Sequence, residues 1–82
     1  DKIAVFPNPV QDFVQIDISQ LDNQNINIQL VDVTGRTIKT LRNEYSDIIR
    51  LDVSNISAGV YFLSFTNADA TKIGVKKIVI LD

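Results

Sequence analysis

The chain of 82 residues has no cysteine, histidine, methionine or tryptophan. Without cysteine, no disulfide and no thiolate metal site can staple the fold. Without histidine as well, a Ser-His-Asp triad, a Cys-His dyad and an ordinary zinc site are excluded within it. A carboxylate pair or a Ser-Lys pair stays formally open. The lack of cysteine assigns no compartment, because secreted proteins can lack it too. Surplus positive charge is also missing. Eight Lys and Arg stand against ten Asp and Glu, a net charge of −2, which argues against a nucleic-acid surface. No apolar run reaches the roughly 18–20 residues that span a bilayer, so no stable membrane insertion is expected. The chain opens on Asp1 with neither an initiator Met nor a signal peptide. It therefore reads as a piece of a longer protein, taken from its C-terminal end.

What is present is a globular composition. Hydrophobic residues make up 45% of the chain, too many for disorder. The length suits one domain over residues 1–82 and is too short for two.

Apolar residues recur with period two almost everywhere, the signature of half-buried strands. Val14, Ile16 and Ile18 alternate with Gln15, Asp17 and Ser19. Ile26, Ile28 and Leu30 alternate with Asn27 and Gln29, and Ile49, Leu51 and Val53 with Arg50, Asp52 and Ser54. Tyr61, Leu63 and Phe65 share one face, opposite Val60 and Phe62. The spacing predicts strands near 3–6, 12–18, 26–33, 36–42, 47–53, 60–66 and 72–81. Residues 40–47 are the best helical stretch, but their shortness between two alternating runs favours a loop or hairpin connection. The expected fold is all-β: an immunoglobulin-like sandwich of about seven antiparallel strands in two sheets. The last strand breaks its own rhythm, since Ile73 and Val75 are odd and Ile78 and Ile80 even. Either a β-bulge near Lys76-Lys77 restores an inward face, or the strand is apolar on both faces because something covers its outside.

Four short motifs stand out. Pro7 and Pro9 cannot donate ladder hydrogen bonds and hold the residue before each extended. Pro7-Asn8-Pro9 is therefore read as a kink that passes the chain between sheets, or as a rigid marker at a domain boundary. Gly35, after Asp32-Val33-Thr34, fits a positive φ in a type I turn with a G1 bulge. Ser57-Ala58-Gly59 leads tightly into a central strand, where the Tyr61 hydroxyl could anchor to backbone as in a tyrosine corner. Lys76 and Lys77 protect an edge strand from aggregation or present it to a receptor. The carboxylates Asp12, Asp17, Asp32, Asp47 and Asp52 are spread over different strands, and none is expected to converge on a cleft. They do not form a dense calcium loop either, and Asn55-Ile56-Ser57 fits a glycosylation sequon too short to carry weight.

In order, Phe6-Pro7-Asn8-Pro9-Val10, Asp12-x-Val14-x-Ile16, Asp32-x-x-Gly35-Arg36, Gly59-x-Tyr61-x-Leu63 and Lys77-Ile78-Val79 span essentially the whole chain. The series resembles the type IX secretion C-terminal sorting domain of Gram-negative Bacteroidetes. It departs from that pattern at Val31, where Tyr is common, and at Asp82, where a basic residue is. Either the native end tolerates Asp or a basic tail has been trimmed.

The resemblance implies a sorting signal at the end of a larger secreted protein, without catalysis and without a cofactor. It implies passage through the periplasm, then the cell surface or the medium. The implied partners are the outer-membrane type IX translocon and a sortase-like peptidase that removes the domain and attaches the cargo to the surface. Carried over, the recognition residues are Pro7, Asn8, Pro9, Gly35, Gly59, Lys76 and Lys77. Two other classes remain. An accessory carbohydrate-binding or adhesive sandwich would show exposed aromatics on one face or a calcium loop, yet the aromatics are few, and Tyr61 and Phe65 look inward. A spacer that self-associates through a free edge strand is the other.

Overall fold

The computed structural model describes residues 2–82. Seven strands follow in order: β1 (Ala4–Phe6), β2 (Phe13–Asp17), β3 (Ile26–Asp32), β4 (Thr37–Asn43), β5 (Ile48–Asp52), β6 (Gly59–Asn67) and β7 (Lys72–Ile80). They form a three-stranded sheet ordered β1-β2-β5 and a four-stranded sheet ordered β4-β3-β6-β7. All pairings within the sheets are antiparallel. The two sheets give the sandwich that the period-two pattern predicts.

Alternation decides what is buried. Val14 and Ile16 of β2, Leu51 of β5, Ile26, Ile28 and Leu30 of β3, Leu63 and Phe65 of β6, and Ile78 and Ile80 of β7 are all almost fully enclosed. They meet in one core between the sheets. One polar side chain joins this interior. Asn43, at the end of β4, is 9% exposed. Its Nδ2 donates to the carbonyls of Gln24 (2.7 Å) and Ser46 (2.9 Å), so it ties two loops together with both of its N–H groups paired.

The β7 bulge is real but misplaced in the sequence reading. Pairing with β6 runs unbroken from Gly59↔Ile80 to Phe65↔Gly74, straight through Lys76 and Lys77. The register shifts between Phe65 and Thr66, and Thr66 pairs with Lys72, so Ile73 is the extra residue. Lys76 lies opposite the buried Leu63, on the inward register. Lys76 is half-buried there, as an edge strand allows when a lysine runs its methylenes along the core. Inward lysine therefore needs no bulge, and Val75 turns outward, 45% exposed.

Candidate functional site

The densest meeting of motif residues is at the free side of β7. β7 closes one edge of its sheet, so the backbone groups pointing away from β6 need partners. The chain leaves the three-stranded sheet at Phe6, crosses to that edge, and returns as β2 at Phe13. Prolines at 7 and 9 have no N–H to offer, and the Asn8 side chain takes their place. Its Nδ2 donates to the Lys77 carbonyl at 2.9 Å, and its Oδ1 accepts from the Val79 amide at 3.0 Å. One primary amide thus mimics a strand residue. Val10 continues the pairing: its N–H donates to the Val79 carbonyl at 2.9 Å, and the Leu81 N–H donates to its carbonyl at 2.8 Å. Val10 and Ile80 form a parallel bridge. The Gln11 side chain adds a bond to the Asp82 carbonyl at 2.8 Å.

This strap explains the Pro-Asn-Pro motif as the sheet-crossing kink. It also draws several candidate residues together. Pro7, Asn8 and Pro9 lie along β7 beside Lys77. Gly59 pairs with Ile80, the residue bridged to Val10. Lys76 is next in line but turned inward, while Lys77 faces outward opposite Phe62.

Gly35 sits in the β3–β4 hairpin at the same end of the sheet, since Asp32 pairs with Tyr61. Its φ is +89°, and its N–H donates to the Asp32 carbonyl at 3.0 Å, the expected turn geometry. Asp32 is the hub of that turn. Its Oδ1 accepts from the Thr34 amide (2.9 Å), the Thr34 hydroxyl (2.6 Å) and the Arg36 amide (3.0 Å). Its Oδ2 lies 3.3 Å from the Arg36 Nε. The tyrosine corner forms as well: the Tyr61 hydroxyl donates to the Ser57 carbonyl at 2.6 Å.

A repeated device went unread in the sequence. Asp-x-Ser/Thr occurs at Asp17-Ile18-Ser19, Asp32-Val33-Thr34, Asp52-Val53-Ser54 and Asp69-Ala70-Thr71. In each, Oδ1 accepts the backbone N–H two residues on, which closes an Asx turn, at the end of a strand for Asp17, Asp32 and Asp52 and within the β6–β7 connection for Asp69. The hydroxyls of Ser19, Thr34 and Ser54 also donate to the same oxygen. These bonds favour the ionised form, so all four carboxyls titrate below their ordinary value. The Ser19, Thr34 and Ser54 hydroxyls are the main cause for Asp17, Asp32 and Asp52, and the Thr71 amide for Asp69. The spacing was the available signal. Read singly, Asp17 and Asp52 pass for solvated surface residues.

No chemistry converges on these groups. Among the described residues no cluster of three His, Cys, Asp or Glu is placed to hold a metal ion. No helix among them is long and apolar enough to cross a membrane. Three aromatics face out: Tyr45, between β4 and β5, Phe6 and Phe13. Phe6 and Phe13 are 44% and 41% exposed and, with Pro7, Gln15 and Arg50, line a shallow cleft of about 280 Å³. The Arg50 guanidinium carbon lies 3.9 Å from the Phe13 ring centre, a cation–π contact that covers one ring face.

The fold and its edge strap define an all-β sandwich module. The profile of the secretion system C-terminal sorting domain matches residues 4–81, and the chain belongs to that family. It is a type IX secretion sorting signal, which implies export of the protein bearing it to the cell surface or beyond. No curated protein sequence matches the chain. Among solved structures it resembles a chain of PorZ, described as an essential bacterial surface component of the type IX secretion system of Porphyromonas gingivalis. The TM-score is 0.76 at 18% identity, over 98% of this chain. The chain spans only 11% of that PorZ chain, and at this identity the likeness speaks for the fold alone.

Proposed function

We propose that residues 1–82 are a single passive address at the end of a larger cargo protein. The cargo reaches the periplasm by a separate signal. The outer-membrane translocon then reads the sandwich, and a sortase-like peptidase removes it as the cargo is fixed to the surface. The recognition residues are Pro7, Asn8, Pro9, Gly35, Gly59, Lys76 and Lys77. In this reading the two glycines act by holding the backbone. Asn8 acts by clamping β7, and the lysines supply the side-chain charge.

The observation that supports this is the convergence of Pro7–Pro9, Gly59 and Lys77 on the second half of β7. Motifs far apart in sequence that served local folding alone would have no need to meet there. The test is a fusion of residues 1–82 behind a periplasmic reporter in a type IX-competent host and in a translocon-deficient strain. Export in the first and retention in the second is the expected result. Retention in both overturns the address. Mass spectrometry of the exported reporter reads cleavage directly: an uncleaved product at the surface removes the peptidase from the scheme.

A further inference from the structure

The outward face of the four-stranded sheet has the wrong chemistry for a surface that meets only water. Opposite the buried row, β3 turns out Asn27, Gln29 and Val31, β6 turns out Val60, Phe62 and Ser64, and β7 turns out Val75, Lys77 and Val79. Register makes the apolar members neighbours. Val31 pairs with Phe62, Phe62 with Lys77, and Val60 with Val79. The result is an apolar strip across three strands with a lysine set into it. Val60 and Val75 are 37% and 45% exposed.

Charge on this sheet is one-sided. Its strands carry Lys39, Arg42, Lys72, Lys76 and Lys77 against the single carboxylate of Asp32, although the chain as a whole is negative. On the outward register stand Arg42, Lys72 and Lys77, with no carboxylate. Asp32 is on the other register and is occupied by its own turn.

Three occupants can be compared. A second copy pressed face to face would bring like charges together, which costs rather than gains. An added strand along the second half of β7 would find the outward groups of Lys77, Val79 and Leu81 already bonded to Asn8 and Val10. A lipid surface is gripped by protruding apolar side chains, whereas Val31, Phe62 and Val79 are half-buried in the pleat. A flat apolar strip with cations at its centre and flanks fits a protein surface of like shape and opposite charge.

We propose that this outward face, centred on Phe62 and Lys77, is the docking face for a protein of the export machinery whose matching surface is apolar and flanked by carboxylates. The inference rests on the sorting role given above and names the surface that carries it.

The test uses the same reporter fusion with substitutions at 62 and 77. Phe62→Ser should lower export tenfold or more. Export should fall in the order wild type, Lys77→Arg, Lys77→Gln, Lys77→Glu, with the last at least tenfold down. Ile48→Thr, on the outward face of the other sheet, should export as wild type does. Urea midpoints of the purified domains exclude unfolding as the cause, and Lys77→Arg keeps the test valid where another variant is unstable. Retention of the wild-type fusion overturns the sorting role and the docking face with it. Wild-type export with undiminished export of Phe62→Ser and Lys77→Glu overturns the docking face alone. Equal export by the three Lys77 variants overturns the acidic partner. Two further results would reassign the face. One is binding of the purified domain to phosphatidylglycerol vesicles that Lys77→Glu abolishes. The other is concentration-dependent sedimentation that Phe62→Ser abolishes.

Discussion

Gly35 stands at a φ of +89°, and a Cβ built there would have nothing within 4 Å. Any cost of substitution is therefore conformational, with no crowding to confuse it. Gly35→Val should lose about 1–3 kcal/mol, because a β-branched residue resists the left-handed region. Gly35→Asn should lose clearly less, since asparagine visits that region more readily. Urea denaturation of the two variants checks the order, and equal losses would contradict the turn. The four Asx carboxyls make a prediction of a different kind. Asp17, Asp32, Asp52 and Asp69 all have folded-state values below the ordinary 3.8. The unfolded chain therefore takes up their protons first as pH falls. The stability they contribute is complete above 3.8 and is lost below it, as pH drops through the lowered folded values. The urea midpoint should fall between pH 5 and pH 2.5, a range set about the ordinary carboxylate value. Replacing all four with Asn should flatten that slope.

At the scale of elements, the strap along β7 is the part most open to challenge. Asn8→Ala removes two hydrogen bonds to β7 and should cost about 1–3 kcal/mol, at roughly 0.5–1.5 for each bond. More diagnostic is the Val79 amide, bonded to Asn8 Oδ1. Its hydrogen exchange should accelerate in the variant, while amides in the β3–β6 ladder keep their protection. Unchanged exchange at Val79 would show that the strap is held by Val10 alone. The strands themselves were legible in the sequence, because one face of each is buried and alternation follows directly from that. Turn chemistry was legible where one residue carries it, as at Gly35 and Tyr61. Two things were not. The change of parity between Ile73, Val75 and Ile78, Ile80 points to Lys76-Lys77, midway between them, whereas the register shifts at Ile73 and the inward row continues through Lys76 and Gly74. The role of Asn8 depends on a partner 69 residues away, and no local pattern reports a contact at that range.

For the whole molecule, stability is concentrated between the sheets. A domain of this length holds about 4–12 kcal/mol in total, at roughly 0.05–0.15 per residue. Phe65, fully enclosed on the inward face of β6, should cost about 3–5 kcal/mol on truncation to Ala, enough to leave the fold marginal. Val60→Thr, on the outward face of the same strand, should move the urea midpoint little, since surface changes usually stay within about 0.5 kcal/mol. That asymmetry separates the residues that build the sandwich from those free to serve another purpose. It also explains why the apolar outward strip stayed hidden in the sequence. Period two marks Val31, Val60, Phe62, Val75 and Val79 as lying opposite the core, but only strand order makes them neighbours.

The parallel pairing of Val10 with Ile80 has a mechanical meaning. Two parallel segments pulled from opposite ends slide past each other, so the bonds from Asn8 and Val10 to Lys77, Val79 and Leu81 share the load together. An antiparallel hairpin would unzip them one by one. Traction between the residues before Asn8 and those after Leu81 would meet its main resistance at this clamp, and Asn8→Ala should lower the force at which the domain gives way.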